Sequence, residues 1–125
     1  IMKAHYQVFK GKSLDTFCPL GPCITTADEI DPGKLNIVTR VNGELRQNDY
    51  TSKMIVGIPN LISILSCNMT LEPGDMLATG TPIGIGAAMK PPRFLKNGDT
   101  VEIFIEGIGY LKNIVLDICE PGGDK

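Results

Sequence analysis

A chain of 125 residues with 42% apolar and 21% charged residues has the makeup of one globular domain, far from the regime of disordered chains. Twelve basic and fourteen acidic residues give a formal net charge of −2, and no run of Lys or Arg forms a phosphate-tracking stripe, so nucleic acid is not an expected partner. Apolar stretches such as Ile62 to Leu65 fall far short of the roughly 20 residues a membrane span needs, so no membrane partner is expected either.

In chain order, no signal peptide is visible, and the residue pair Ile1-Met2 reads as the start of a fragment, which leaves room for an upstream targeting segment. His5 stands alone, with no nucleophile motif beside it, and reads as a surface or structural histidine. Cys18, Cys23, Cys67 and Cys119 form no C-x-x-C pair, and buried reduced thiols in an intracellular protein are expected. Gly11-Lys12-Ser13 resembles the end of a phosphate-binding loop. The glycine required five residues before Gly11 is Tyr6, however, and Pro19, Gly21 and Pro22 interrupt the helix that should follow.

Fourteen glycines and nine prolines spread along the chain favour short strands joined by turns. Leu35 to Val41 is rich in β-branched residues, Asn42-Gly43 suits a tight two-residue turn, and Glu44 to Gln47 returns as a partner strand. Ile58, Leu61, Ile62, Leu65 and Met69 recur at spacings of three and four. They predict one short helix near residues 58–69, with Pro59 in its first turn. Glu72 to Asp75 is a turn, and Met76 to Thr79 is apolar enough for a buried strand leading into Gly80-Thr81-Pro82. After the turn Asn97-Gly98-Asp99, Val101, Ile103 and Ile105 alternate with Glu102, Phe104 and Glu106 at the period of a sheet. Tyr110 to Ile118 reads as the last strand, and Glu120 to Lys125 as a frayed tail.

Two further clusters invite chemistry. In Ala78 to Gly86, small residues let backbone amides and a hydroxyl approach a ligand, and a plain Gly-rich connection explains the same composition. The carboxylates Asp28, Glu29 and Asp31 lie beside Pro32 and Gly33 as a solvated turn. Glu102 and Glu106 read as the solvent face of an edge strand.

Four ordered stretches carry more weight: Gly11 to Pro22; Arg40 to Glu44; Met69 to Asp75 leading into Ala78 to Pro82; and Lys90 to Lys96, with Gly98-Asp99 and Ile105 to Gly109. From about Tyr6 to Val115 they resemble the fumarylacetoacetate hydrolase family. The segment Lys90-Pro91-Pro92-Arg93-Phe94-Leu95-Lys96 is similar to an animal group described as oxaloacetate tautomerases.

The resemblance implies a mainly β fold, a mixed-sheet β roll with minor α. It implies a usually homodimeric, intracellular enzyme, cytoplasmic or mitochondrial, that uses Mg²⁺ or Mn²⁺ on a small keto-acid substrate. The reactions it implies are oxaloacetate tautomerisation, decarboxylation, or carbon–carbon hydrolysis of acylpyruvates; all gain from a hard cation stabilising an enolate. Lys12 matches the family lysine that reaches the metal-bound substrate, Thr16 a threonine beside the metal, and Gly80 with Thr81 the position that binds the substrate carboxylate.

The family's metal ligands, a Glu-x-Glu pair and an aspartate, stand upstream of the Gly-Lys-Ser motif, and Ile1 to Lys10 holds no Asp or Glu. Residues 1–125 are thus expected to be the C-terminal part of a longer catalytic domain, inactive alone, with apolar sheet surface left open to self-association. The alternative is a noncatalytic dimerisation or interaction module.

Overall fold

The computed structural model describes residues 12–117. Four strands form one sheet: β1 (Asn36–Val41), β2 (Glu44–Tyr50), β3 (Thr100–Ile105) and β4 (Gly109–Ile114), in the spatial order β2-β1-β3-β4. Every pairing is antiparallel. Among the described residues lie also the helix α1 (Ile58–Ser66) and single 3-10 turns at Thr51–Lys53 and Gly86–Ala88. The mainly β fold with one short helix expected from the sequence is therefore present.

Asn42 and Gly43 turn β1 into β2 with φ of 51° and 79°, the positive pair that a two-residue turn between twisted strands requires. Thr39 pairs with Gln47 but Arg40 pairs with Leu45, so Arg46 is an extra residue bulged out of the ladder. Beyond the bulge β2 continues to Tyr50, three residues past the expected end at Gln47. Ile37, Thr39, Gln47, Asp49, Ile103 and Ile105 share one face through their pairings, while Val38, Arg40, Glu102, Phe104 and Tyr110 share the other.

Helix α1 starts after Gly57, whose extended backbone and carbonyl, accepting from the Leu61 amide at 3.0 Å, begin the turn. Pro59 sits in the first turn, where no amide proton is needed. The helix stops at Ser66 rather than reaching Met69. Cys67, Asn68 and Thr70 are weak helix formers, and Ser66 Oγ bonds back to the Ser63 carbonyl.

Four expectations are corrected. Met76 to Thr79 is not a strand: it pairs with no neighbour among the described residues, and Met76 is 72% exposed. A strand exists only through its partner, which composition does not reveal. Glu102 is not on an edge, because β3 lies between β1 and β4; its carboxylate pairs with Lys112 at 2.7 Å. Cys18, Cys23 and Cys67 are free but exposed rather than buried. The last strand ends at Ile114, short of Ile118. His5, Cys119 and the expected frayed tail lie outside the described residues.

The described residues include no fully buried apolar side chain. Much apolar area therefore stays open to a neighbour, including Ile55 and Ile83.

Candidate functional site

The segment Gly80 to Gly86 crosses the sheet face that carries Gln47 and Asp49, and local sequence explains how it lies so close. A Cβ built on Gly84 would collide with the carbonyl oxygen of Arg46, and one on Gly86 with that of Arg93. Both positions thus require glycine for close backbone approach. Gly84 also has φ of 108°. The glycines that the sequence offered as either ligand-facing or merely connecting divide their roles: Gly84 and Gly86 serve packing, while Gly80, at φ of 98°, has open space beside its Cα.

Between this segment, the end of β2 and α1 lies an open cavity of about 630 Å³. Its floor and walls include Ile37, Met54, Val56 and Leu61; its polar groups come from Asp49, Thr51, Lys53, Thr79, Gly80 and Thr81. Thr81 is exposed toward solvent but anchored from below. Gln47 Nε2 donates to Thr81 Oγ1 at 2.8 Å and to the Pro82 carbonyl at 2.9 Å. Thr51 stitches the neighbouring wall, its hydroxyl accepting from the Leu35 amide at 2.9 Å.

Electrostatically the cavity holds one ion pair, Lys53 Nζ to Asp49 Oδ1 at 2.7 Å. The Lys53 ammonium first, and then the Tyr50 amide, hold the Asp49 carboxyl below the usual carboxylate range. A second cluster gathers at the bulge, away from the residues that line the cavity. Arg46 Nη2 lies 3.3 Å from Glu44 Oε2, Arg93 Nη1 lies 2.8 Å from Glu44 Oε1, and Arg46 Nη1 donates to Met89 Sδ at 2.9 Å.

Of the four site residues expected from sequence, Gly80 and Thr81 line the cavity together. Lys12 and Thr16 are exposed and are not among its lining residues. Thr16 has φ of 68°, a left-handed backbone rare for a β-branched residue. Sequence reasoning missed Gln47, Asp49 and Lys53. The Asn42-Gly43 turn brings β2 back along β1, but only the bulge and the later loop bring Asp49 to the cavity wall and set Gln47, itself not a lining residue, against Thr81.

The chemistry of the donors does not suit a hard divalent cation, which takes about six oxygen ligands, several of them carboxylates or waters. The one carboxylate on the cavity, Asp49, is already engaged by Lys53. Among the described residues no group of three or more His, Cys, Asp or Glu stands ready for a metal. The acidic turn at Asp28, Glu29 and Asp31 is solvated as expected, with Asp31 paired to Lys34 at 2.7 Å. No helix among the described residues is long and apolar enough to cross a membrane.

Comparison with known proteins places this geometry. The family model described as fumarylacetoacetate (FAA) hydrolase C-terminal matches residues 1–116. The chain is 53% identical over 114 residues to the oxaloacetate tautomerase YisK of Bacillus subtilis, covering 90% of this chain and 38% of that protein. A fumarylacetoacetate hydrolase from Exiguobacterium antarcticum superposes with a TM-score of 0.90 at 51% identity, over 92% of this chain and 42% of that one. A maleylpyruvate hydrolase from Sphingobium sp. SYK-6, solved with manganese(II) and pyruvate, gives a TM-score of 0.73 at 44% identity, over 82% of this chain and 36% of that one. The chain thus spans well under half the length of these relatives. With the family model matching nearly the whole sequence and the sheet superposing on its solved members, the chain belongs to the fumarylacetoacetate hydrolase family.

Proposed function

We propose that the protein carrying this chain acts on a small dioxo or β-keto acid, and that the chain supplies the side of the site that receives the substrate carboxylate. Keto–enol tautomerisation of oxaloacetate is the first reaction in this reading, supported by the identity to YisK. Carbon–carbon hydrolysis of acylpyruvates and decarboxylation of oxaloacetate are the related outcomes. The observation that carries it is the Thr81 hydroxyl at the cavity beside Gly80, which accepts one hydrogen bond from Gln47 while a second Gln47 bond holds the adjoining Pro82 carbonyl.

In this reading Gly80 offers a backbone amide and Thr81 a hydroxyl to a carboxylate, and Lys12 neutralises enolate charge or carries a proton. Thr16 stands near the metal in the complete site. The manganese-bound relative supports a divalent ion, Mg²⁺ or Mn²⁺, as cofactor. Because the described donors do not fit such an ion, its carboxylate ligands would come from outside residues 12–117, and the chain alone would be inactive. An intracellular setting and a homodimer complete the proposal. The curated relative named above is bacterial and lends no support to a mitochondrial location.

A second reading, a noncatalytic dimerisation or interaction module, is favoured by one observation: the open apolar side chains, with Ile55 102% and Ile83 87% exposed. Following the enol absorbance of oxaloacetate with and without Mg²⁺ or Mn²⁺, in the protein that carries this chain, separates the two. The enzymatic reading expects a saturable, ion-dependent loss of enol that Thr81→Val slows, with pyruvate release marking decarboxylation instead. Absence of any acceleration would leave the interaction module standing.

A further inference from the structure

We infer that Gln47 is a positioning residue that fixes the polarity of the Thr81 hydroxyl, making it a proton donor aimed at an anionic group in the cavity. The inference rests on the reading of Thr81 as a carboxylate contact and adds a residue that sequence matching did not supply.

The argument starts from what each atom is able to do. The Pro82 carbonyl oxygen is an acceptor only, so the Gln47 side-chain atom 2.9 Å from it must be the amide nitrogen. That nitrogen has two protons and no acceptor capacity. Its second short contact, 2.8 Å to Thr81 Oγ1, therefore obliges the hydroxyl to accept. A hydroxyl that accepts on one side keeps its single proton for another direction. The one protein acceptor within reach among the described bonds is the Pro82 carbonyl at 3.4 Å, longer than a good O–H···O bond and already served by Gln47. The Thr81 proton is left for solvent or for a ligand that displaces it. An ionised carboxylate is acceptor-only, so it matches this arrangement, and a relay from amide to hydroxyl to carboxylate polarises each bond in the same sense.

Two local features hold Gln47 in place. The bulge at Arg46 brings Gln47 opposite Thr39, on the cavity side of the sheet. Gly84 lets the loop settle on the Arg46 carbonyl, and the space beside its Cα reaches the Gln47 Cγ. The loop is thus pinned through its backbone at Gly84 and through a side chain at Thr81, and the pin at Thr81 carries directionality.

The test uses the protein that carries the chain, with Gln47→Met and Gln47→Glu. The first removes both donors while keeping an unbranched side chain; the second keeps the length but reverses the polarity. For oxaloacetate, Gln47→Met should raise KM about 10-fold and Gln47→Glu about 100-fold, steps of one lost and then one opposed hydrogen bond. For both variants kcat should stay within about 3-fold, because the group acts on binding rather than on the reacting atoms. A charge-selectivity readout separates this from loose packing. Pyruvate and its neutral amide, titrated by NMR, should bind with a preference for the carboxylate in wild type, and that preference should vanish in Gln47→Met and reverse in Gln47→Glu.

A measurement on the wild type needs no variant to fold: the Gln47 side-chain amide protons should exchange with water slowly and shift when pyruvate is added. A KM for oxaloacetate that rises in Thr81→Val but in neither Gln47 variant, or side-chain protons exchanging as fast as those of a surface glutamine, would overturn the inference while leaving the proposed function intact. Absence of turnover and of pyruvate binding in wild type would instead remove the proposed function.

Discussion

Asn42 and Asp99 tie the turn between β1 and β2 to the entrance of β3. Asn42 Nδ2 donates to Asp99 Oδ1 at 2.8 Å, and Asn42 Oδ1 accepts from the Thr100 amide at 2.8 Å. Asp99 in turn accepts from the Lys96 amide at 2.8 Å through its other oxygen. A residue chosen for its left-handed backbone thereby also clamps two parts of the sheet that are distant in sequence. Asn42→Ala should lose both side-chain bonds and strain the turn, lowering the thermal midpoint by about 5–10 °C. Asn42→Gly should relieve the strain and recover part of that loss.

The same contact sets a pH dependence. The Asp99 carboxyl is held below its ordinary value first by Asn42, then by the Lys96 amide and by the Lys96 and Arg46 charges. A depressed carboxyl contributes stability that is fully present above its unfolded pKa of about 3.9 and is lost as pH falls through the folded value. NMR titration should therefore find Asp99 and Asp49 ionised at pH values where an unperturbed aspartate is half protonated. Asn42→Ala should move Asp99 upward and leave Asp49, whose partner is Lys53, unmoved.

Gly84 and Gly80 should respond differently to the same substitution. Gly84→Ala drives a methyl into the Arg46 carbonyl at a positive φ, whereas Gly80→Ala meets no atom and carries only backbone strain. Urea unfolding should show a loss of more than about 3 kcal/mol for the first and about 1–2 kcal/mol for the second. Equal losses would mean that the loop does not pack on the bulge.

Lys12→Ala should cut turnover of the protein carrying this chain by about 100-fold while leaving Mg²⁺ affinity nearly unchanged, because an amine acts on substrate charge rather than as a metal ligand. Unchanged turnover would take Lys12 out of the mechanism.

The open apolar surface predicts self-association. Analytical ultracentrifugation of the chain should find dimers or larger species, and a hydrophobic dye should bind. A monodisperse monomer that leaves the dye dark would contradict this.

The parts of the fold legible in sequence were those with local causes. Asn42-Gly43 marks its hairpin because few residue pairs tolerate two successive positive φ values. The spacing of Ile58, Leu61 and Leu65 marks α1 because helix faces repeat. Met76 to Thr79 misled because apolar composition suits a strand but supplies no partner. The exposed thiols and the interior position of β3 likewise depend on what packs beside them. At the candidate site, family resemblance singled out Gly80 and Thr81, yet Gln47 lies 34 residues before Thr81 and emerges only when the sheet and the loop are folded together.

The extra residue at Arg46 has a consequence for what β2 displays. Were the ladder to swallow it, with Arg46 taking the place opposite Thr39, each later side chain of the strand would turn over. Gln47 would look toward Phe104 and Tyr110, and Asp49 would leave Lys53. The polypeptide would keep its composition and its strands, yet the cavity would lose both the anchor beneath Thr81 and its ion pair. What the candidate pocket displays is thus set by parity along one strand.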